Sequence, residues 1–267
     1  MQQRLKHVKR AAVLGAISIA AFSAVPAGAV AQTKGPGPSA SIVGGSRATE
    51  GEFPFMVRLD PVGCGGSLYA DDLVLTAAHC VKASGPDTSL TITAGSVDLQ
   101  STAAVKVKSA AVYKAAGVPG DWALVKLAKP INLPTLKIAE TEKYNHGDFT
   151  ISGWGSTSFE GDQQRYLRKA TVPFLDDEGC AASSWGDEGD FYPGKQICAG
   201  GGSAGGVDIC NGDSGGPLFR KNDATDRWIQ IGISSESACG HPGDPGLYVK
   251  VSTYAAKIKK EAARLHG

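Results

Sequence analysis

A serine surrounded by glycines is the residue of this chain best suited to nucleophilic chemistry. Ser214 lies in residues 210–217, which read CNGDSGGP. A serine hydroxyl needs a base to take its proton and donors to receive the charge on the attacked carbonyl oxygen. Glycines allow tight turns that bring backbone N–H groups close to a substrate. Taken alone the segment also fits an ordinary turn, so the interpretation depends on partners elsewhere in the chain.

Two earlier motifs supply a histidine and an aspartate. His79 precedes Cys80 at the end of the apolar run LVLTAAHC, and Asp121 leads into ALVKL, whose alternation predicts a strand. A lone histidine or aspartate is more often structural. However, His79, Asp121 and Ser214, in this order and each within its own motif, resemble the chymotrypsin and trypsin family of serine proteases. The resemblance runs from Ile42 to the C-terminus.

One rival fold shares part of the serine motif. The pattern Gly-x-Ser-x-Gly also fits the nucleophile elbow of α/β-hydrolases, which place the acid and the histidine after the serine. Asp226 and His241 follow Ser214, so an acid and a histidine do stand in the required order. The preceding chain lacks the alternating helix and strand patterns of that fold, so we favour the protease resemblance.

The first 41 residues predict export and processing. Residues 1–31 combine a basic start, an apolar segment and the small-residue site AVA, which is typical of a signal peptide. The apolar segment is short for a membrane span, so we expect a secreted, extracellular protein rather than a retained anchor. Residues 32–41 are rich in Gly, Pro and Ser and predict a propeptide. Residues 42–267 then form the protease domain.

The start of that domain implies an activation switch. Residues 42–45 read IVGG, which resembles the mature N-terminus of the family. By that resemblance the freed amine of Ile42 pairs with Asp213 and orders the substrate site, because a buried carboxylate without a partner is costly. Ser41 precedes the cleavage point, so self-activation by cleavage after Lys or Arg is not expected. Another secreted protease is implied.

Composition favours an all-β domain. Residues 1–41 hold five of the 27 Lys and Arg and none of the 26 Asp and Glu. Residues 42–267 therefore carry 22 basic and 26 acidic side chains. No basic patch indicates nucleic-acid binding. Short β-branched runs recur between turn signals, and only the residues after Ser252 have helical periodicity, which predicts a C-terminal α-helix. The resemblance implies two six-stranded antiparallel β-barrels with the active site in the cleft between them.

Six cysteines suit three disulfides in a secreted domain, although their sequence positions leave the pairing open. No CxxC pair or close Cys/His cluster indicates zinc. We expect no obligatory metal and no cofactor, with a peripheral calcium left open. The resemblance implies these pairs: Cys64 with Cys80, Cys180 with Cys198, and Cys210 with Cys239.

The resemblance also assigns the chemical roles. His79 takes the Ser214 proton and passes it to the departing amine, while Asp121 holds the imidazole ring. The backbone N–H groups of Gly212 and Ser214 form the oxyanion hole. Because His79 must start neutral, activity is expected to rise from pH ~6 towards mild alkalinity.

Asp208, six residues before the nucleophile, is the candidate for substrate choice. The alternative is a surface aspartate in a glycine-rich loop. The resemblance places Asp208 at the pocket floor, where it pairs with Lys or Arg of the substrate, and Gly246 at an open pocket wall. Trypsins commonly carry a hydroxyl residue where this chain has Ile209. Because a guanidinium can reach Asp208 with two hydrogen bonds, we predict arginine over lysine.

The chain departs from the family at residues 232–239, GISSESAC, where trypsins usually read Ser-Trp-Gly. In one register Ser235 matches the serine, Glu236 replaces the tryptophan, and Ser237 replaces the glycine that pairs with substrate backbone. The acidic residue then favours additional basic residues in the substrate. In the second register, counted from Cys239, Glu236 crowds the pocket mouth. We prefer the first, which keeps the preceding strand in phase.

The sequence therefore predicts a secreted trypsin-like serine endopeptidase, made as a zymogen and similar to trypsins of filamentous bacteria. The expected partners are polypeptide substrates, proteinaceous protease inhibitors and an activating protease. We expect a monomer without nucleic-acid or membrane partners. The alternative is a weakly active or inactive binding protein on the same fold, motivated by Ser235, Glu236 and Ser237.

Overall fold

The computed structural model describes residues 42–117, 119–202 and 205–266. The predicted signal peptide and propeptide lie outside the described residues. After a short strand β1 (Ser46–Arg47), the first sheet closes into a barrel because β7 pairs with both β6 and β8, and β5 is added at the edge of β7. Its strands are β2 (Met56–Asp60), β3 (Cys64–Ala70), β4 (Leu73–Thr76), β5 (Gly85–Pro86), β6 (Thr91–Ala94), β7 (Val105–Lys114) and β8 (Ala123–Leu127).

The second sheet closes in the same way, through the pairing of β11 with β12. Its strands are β9 (Lys137–Ile138), β10 (Asp148–Gly153), β11 (Arg168–Leu175), β12 (Gln196–Ala199), β13 (Pro217–Lys221), β14 (Trp228–Glu236) and β15 (Gly246–Lys250). β1 and β9 attach outside the barrel, β9 in parallel with β14. Each closed barrel has six antiparallel strands, which confirms the predicted fold class.

Within the described residues, three α-helices accompany the barrels: α1 (Asp177–Ala181), α2 (Ser184–Asp187) and α3 (Val251–His266). The predicted C-terminal helix is present as α3, which packs on β8 and β14. Neither α1 nor α2 was predicted from the sequence. Asp176 begins α1 as its N-cap, since its side chain accepts a hydrogen bond from the Gly179 N–H at 2.8 Å. None of the helices in the described ranges is long and apolar enough to cross a bilayer.

Aromatic rings join the two barrels. The Phe219 ring of β13 contacts Phe53 and Phe55, which precede β2, with centroids 5.1 and 5.3 Å apart, both in edge-to-face geometry. Trp228 of β14 also packs edge-on against Phe219 at 5.1 Å. Such packing contributes energy beyond the buried area, so it fixes how the barrels meet.

The disulfides pair as the resemblance implied: Cys64–Cys80, Cys180–Cys198 and Cys210–Cys239. The first links β3 to the 3₁₀ turn Ala78–Cys80, and the last links the nucleophile loop to the chain after β14. The loops that carry His79 and Ser214 are therefore each cross-linked to another part of the chain.

Candidate active site

Strand pairing brings the predicted histidine and aspartate together. His79 lies in the 3₁₀ turn just after β4, and Asp121 lies just before β8; β4 pairs with β8 through Thr76 and Ala123. The Asp121 carboxylate pairs with His79 Nδ1 at 2.8 Å and accepts from the His79 backbone N–H at 2.9 Å. Ser235 Oγ donates to the same carboxylate at 2.6 Å. Burial opposes ionisation of Asp121, but these bonds lower its pKa below the ordinary value.

The His79 ring carries a raised pKa. The hydrogen bond to Asp121 is the main cause; burial opposes it, and the charges of Asp121 and Glu236 add to the rise. With Nδ1 paired to Asp121, Nε2 remains for proton transfer. Within the described residues no hydrogen bond joins this ring to the Ser214 hydroxyl. Catalytic hydrogen bonds often tighten only in the substrate complex.

The backbone around Ser214 leaves two N–H donors free. The Asn211 carbonyl, in the same peptide unit as the Gly212 N–H, accepts from the Ser156 N–H at 2.8 Å. The Asp213 carbonyl, in the same peptide unit as the Ser214 N–H, accepts from the Gly216 N–H at 3.0 Å. Because a trans peptide directs its N–H opposite to its C=O, the Gly212 and Ser214 N–H groups point away from these anchors. Across the described part of the chain neither donates to a backbone carbonyl. Both are available to an oxyanion.

Two glycines make this loop possible. Gly212 has φ +96° and Gly215 has φ +80°, the region that side chains other than glycine rarely occupy. A Cβ at Gly215 would also overlap the Thr76 hydroxyl. The nucleophile loop therefore approaches β4 closely.

A cavity of about 250 Å³ next to Ser214 is lined in part by Ile209, Ser235, Glu236 and Ser237. Asp208 lies against this wall with 0% of its surface exposed. Its carboxylate accepts from the Ile209 N–H at 2.8 Å and from Ser237 Oγ at 2.6 Å. Burial raises the pKa of Asp208 to about 7. A cation entering the pocket would relieve that cost.

The contact from Ser237 was missed by the sequence analysis, which assigned this residue only to backbone pairing. The Ser237 hydroxyl accepts from the Cys239 N–H at 2.7 Å and lies 2.5 Å from the Ile209 carbonyl oxygen. The position of Ser237 depends on a bend in the backbone at Cys239, where φ is +54°. No sequence motif reports that bend. A Cβ on Gly246 would come within 2.5 Å of the Asp208 carboxylate, so only a glycine fits beside this carboxylate.

A larger cleft of about 600 Å³ adjoins the pocket and is lined by His79, Asp121 and Glu236. Asp190, in the loop after α2, also lines it and was not singled out from sequence. Burial raises the pKa of Glu236, and the charges of Asp190 and Asp121 raise it further. Three carboxylates and one lysine, Lys114, line this cleft, so its net charge is negative.

The two predicted activation residues are both buried. Ile42 is 0% exposed and packs with the apolar core of the second barrel. Asp213 is 1% exposed and accepts from the backbone N–H groups of Gly155 at 2.8 Å and Cys210 at 3.0 Å. Burial raises the pKa of Asp213 to about 6.

Two clusters among the described residues bring potential metal ligands together. In the first, Cys64 and Cys80 are joined as a disulfide beside His79. In the second, Asp72 is already paired with Lys126 and His266. Neither cluster offers a set of free ligand atoms.

Comparisons with known proteins agree with this geometry. The family model described as Trypsin matches residues 42–258. A trypsin-like protease of Streptomyces glaucescens is 49% identical over 266 residues, which cover 98% of this chain and 95% of that protein. Trypsin of Saccharopolyspora erythraea is 35% identical over 226 residues, covering 80% and 94%. Coagulation factor IX of Oryctolagus cuniculus is 35% identical over 233 residues, covering 80% and 82%. The family match starts at the residue after the predicted propeptide.

Proposed function

This chain belongs to the trypsin family of serine proteases, and from that premise we propose that it is a secreted endopeptidase that cleaves after Arg and, less readily, after Lys. The observation that supports this specificity most directly is the buried Asp208 carboxylate behind the cavity beside Ser214. A buried negative charge at a pocket wall favours a substrate side chain that brings a positive one.

The reaction proceeds through an acyl-enzyme. His79 Nε2 takes the proton as Ser214 Oγ attacks the peptide carbonyl, and then delivers it to the departing amine. Asp121 holds the ring through Nδ1 and stabilises its charged form. The N–H groups of Gly212 and Ser214 receive the oxyanion, where one donor can be worth about 100- to 1,000-fold in kcat. Water then releases the acyl group by the same steps in reverse.

Asp208 selects the substrate residue before the scissile bond. A side chain without a positive charge leaves the buried carboxylate unpaired, which discriminates strongly. Arginine presents a planar fork that donates two hydrogen bonds, while lysine presents a single ammonium. Lysine is therefore the weaker substrate, although the Ser237 hydroxyl beside Asp208 gives its ammonium an additional acceptor.

The protein is made as a zymogen. Residues 1–31 direct export, and another protease removes residues 32–41. The new amine of Ile42 then pairs with Asp213, whose buried carboxylate has backbone donors and a raised pKa. We infer that the mature enzyme acts as a monomer on polypeptides, and that proteinaceous inhibitors bind the same cleft.

A weakly active or inactive binding protein remains the alternative if Glu236 obstructs the pocket. Ser237 rather than Glu236 contacts Asp208, and this favours the enzyme. Glu236 lines both the cavity beside Ser214 and the adjoining cleft, where its charge favours further basic residues in the substrate.

The test is hydrolysis of matched peptides that carry Arg, Lys, Phe or Ala before the scissile bond, with enzyme processed to Ile42 and a Ser214→Ala control. We expect cleavage after Arg, weaker cleavage after Lys, and none in the control. Efficient cleavage after Phe or Ala would refute the role of Asp208. If verified mature protein cuts none of the peptides, the binding-protein alternative is the better account.

A further inference from the structure

Arg58 of β2 is a charged side chain inside the molecule, with 5% of its surface exposed. Its Nε lies 3.4 Å from Asp60 Oδ1, and its Nη2 contacts the side-chain oxygen of Gln163. Its Nη1 donates to the carbonyl of Gly212 at 3.4 Å. Burial of a cation is costly and needs several hydrogen bonds. One of those bonds here reaches the glycine of the oxyanion hole.

The Gly212 carbonyl is the middle of three consecutive carbonyls in the nucleophile loop. The carbonyls on either side are held by backbone donors, the N–H groups of Ser156 and Gly216. The middle carbonyl is held by a side chain from the first barrel. It belongs to the peptide unit between the two oxyanion donors, Gly212 and Ser214, so its orientation sets the angle between them.

A second contact links the same region of the first barrel to this loop. Gly65 of β3 pairs with Arg58 in the sheet register, and the Gly65 N–H donates to the Ser214 carbonyl at 2.8 Å. β2 and β3 therefore contact the nucleophile loop at both oxyanion residues. The charge of Arg58 also lowers the pKa of the nearby Asp213, against the larger effect of burial.

We propose that Arg58 is a positioning residue, whose hydrogen bond to the Gly212 carbonyl aligns the two oxyanion donors. The proposal rests on the proposed function of Gly212 and Ser214. Glycine tolerates both signs of φ. The Asp213 N–H of the same peptide unit donates to the Cys210 carbonyl at 2.9 Å, so the Arg58 bond adds a second anchor at the opposite end of that unit and limits its tilt. The barrel that supplies His79 and Asp121 thus also sets the geometry of the oxyanion hole in the other barrel.

The expected effect is on the transition state and not on substrate binding. A missing oxyanion donor costs about 100- to 1,000-fold in kcat, and a misaligned one should cost about tenfold. The side-chain pocket formed by Asp208 does not use these donors. KM should therefore stay within about twofold.

The experiment uses enzyme prepared by expressing and processing the full chain, as wild type, Arg58→Met and Arg58→Lys. Inhibition is measured with a peptidyl-arginine aldehyde, whose adduct with Ser214 places an oxygen in the oxyanion hole, and with benzamidine, which binds only the charged pocket. Both variants should lose about tenfold in kcat and in aldehyde affinity, with benzamidine affinity within about twofold. Asp60→Asn removes the charge of another Arg58 partner and should leave kcat unchanged.

Arg58→Lys separates hydrogen bonding from charge, because lysine keeps the positive charge but loses the guanidinium fork. Full activity in this variant would overturn the proposal, since charge near Asp213 would then suffice. Parallel loss of aldehyde and benzamidine affinity would also overturn it, because Arg58 would then only support the fold. If Arg58→Met does not fold, Arg58→Lys carries the test. Failure of wild type to cleave after Arg would instead refute the proposed function.

Discussion

At the scale of single residues, two carboxylates act on the protonation of His79. Asp121 raises the pKa of the imidazole through its hydrogen bond, burial lowers it, and the charge of Glu236 raises it again. Glu236 stands where the family usually carries a tryptophan, in the register that we prefer. The acidic residue therefore changes the electrostatics of the catalytic base as well as the surface of the cleft.

The first prediction concerns Glu236→Gln. The neutral side chain no longer favours the imidazolium, so the pKa of His79 falls. Since neutral His79 is the active base, the acid limb of the kcat/KM profile for an arginyl peptide should move to lower pH. Glu178→Gln, at an exposed position in α1, is the matched control and should leave the profile in place. An unshifted limb in Glu236→Gln would contradict the assignment.

The second prediction concerns Ser237→Ala. Removal of the hydroxyl beside Asp208 takes a potential acceptor from a lysine ammonium, whereas an arginine fork still reaches the carboxylate. The ratio of kcat/KM for Arg over Lys peptides should therefore rise by about 2- to 10-fold, the worth of one hydrogen bond. Competition between matched Arg and Lys peptides measures the ratio directly. An unchanged or smaller ratio would exclude this role for Ser237.

At the scale of elements, the contact between β3 and β14 carries a buried polar link. Ser67 Oγ donates to Gln230 Oε1 at 2.7 Å, and both side chains are 0% exposed. This bond and the aromatic contacts of Phe219 join the two barrels. Since His79 and Ser214 belong to different barrels, the interface determines their separation.

The third prediction follows from that link. Gln230→Leu leaves the Ser67 hydroxyl without its acceptor and should lower the free energy of unfolding by about 1–3 kcal/mol. Adding Ser67→Ala removes the hydroxyl that has lost its acceptor and should restore part of the lost free energy of unfolding. Urea unfolding in a Ser214→Ala background, which prevents self-digestion, measures both variants. An unchanged free energy of unfolding in Gln230→Leu would show that the bond does not stabilise the interface. So would a double variant that is no more stable than Gln230→Leu alone.

Elements with a repeated pattern could be predicted from sequence, and elements without one could not. Alternation in residues 123–127 predicted β8, and three- and four-residue spacing predicted α3. Helices α1 and α2 span five and four residues, too few for a detectable apolar face. No helix was therefore predicted around Asp176, although this residue caps α1.

The same distinction applies to the candidate site. His79, Asp121, Ser214 and Asp208 stand in short local motifs, so their roles could be proposed before the structure was known. The contacts of Arg58 with Gly212, and of Ser237 with Asp208, depend on how separate loops meet. No local pattern encodes those approaches.

At the scale of the whole molecule, the buried Asp213 makes an activity switch possible. Its pKa is raised to about 6 by complete burial, so its ionised form is costly until a cation arrives. An amine released at Ile42 can supply that charge, since an ordinary α-amine has a pKa of about 8. Ile42 already packs in the core of the second barrel.

The fourth prediction compares the full chain with the chain cut between Ser41 and Ile42. Only the cut form should hydrolyse an arginyl peptide at a high rate, and its Tm should be higher because the new ion pair forms inside the protein. Asp213→Asn should stay poorly active after the same cut, with N-terminal sequencing to verify cleavage. Equal activity of cut and uncut wild type would contradict the switch.

The central claim is that Ser214 is the nucleophile activated by His79. It is tested most directly by treating the mature enzyme with a fluorophosphonate and locating the adduct by tandem mass spectrometry. An activated serine reacts with such a reagent, whereas an ordinary hydroxyl does not. We expect a single adduct on Ser214, absent from His79→Ala. An adduct on another residue, or labelling of His79→Ala at the wild-type rate, would contradict the account.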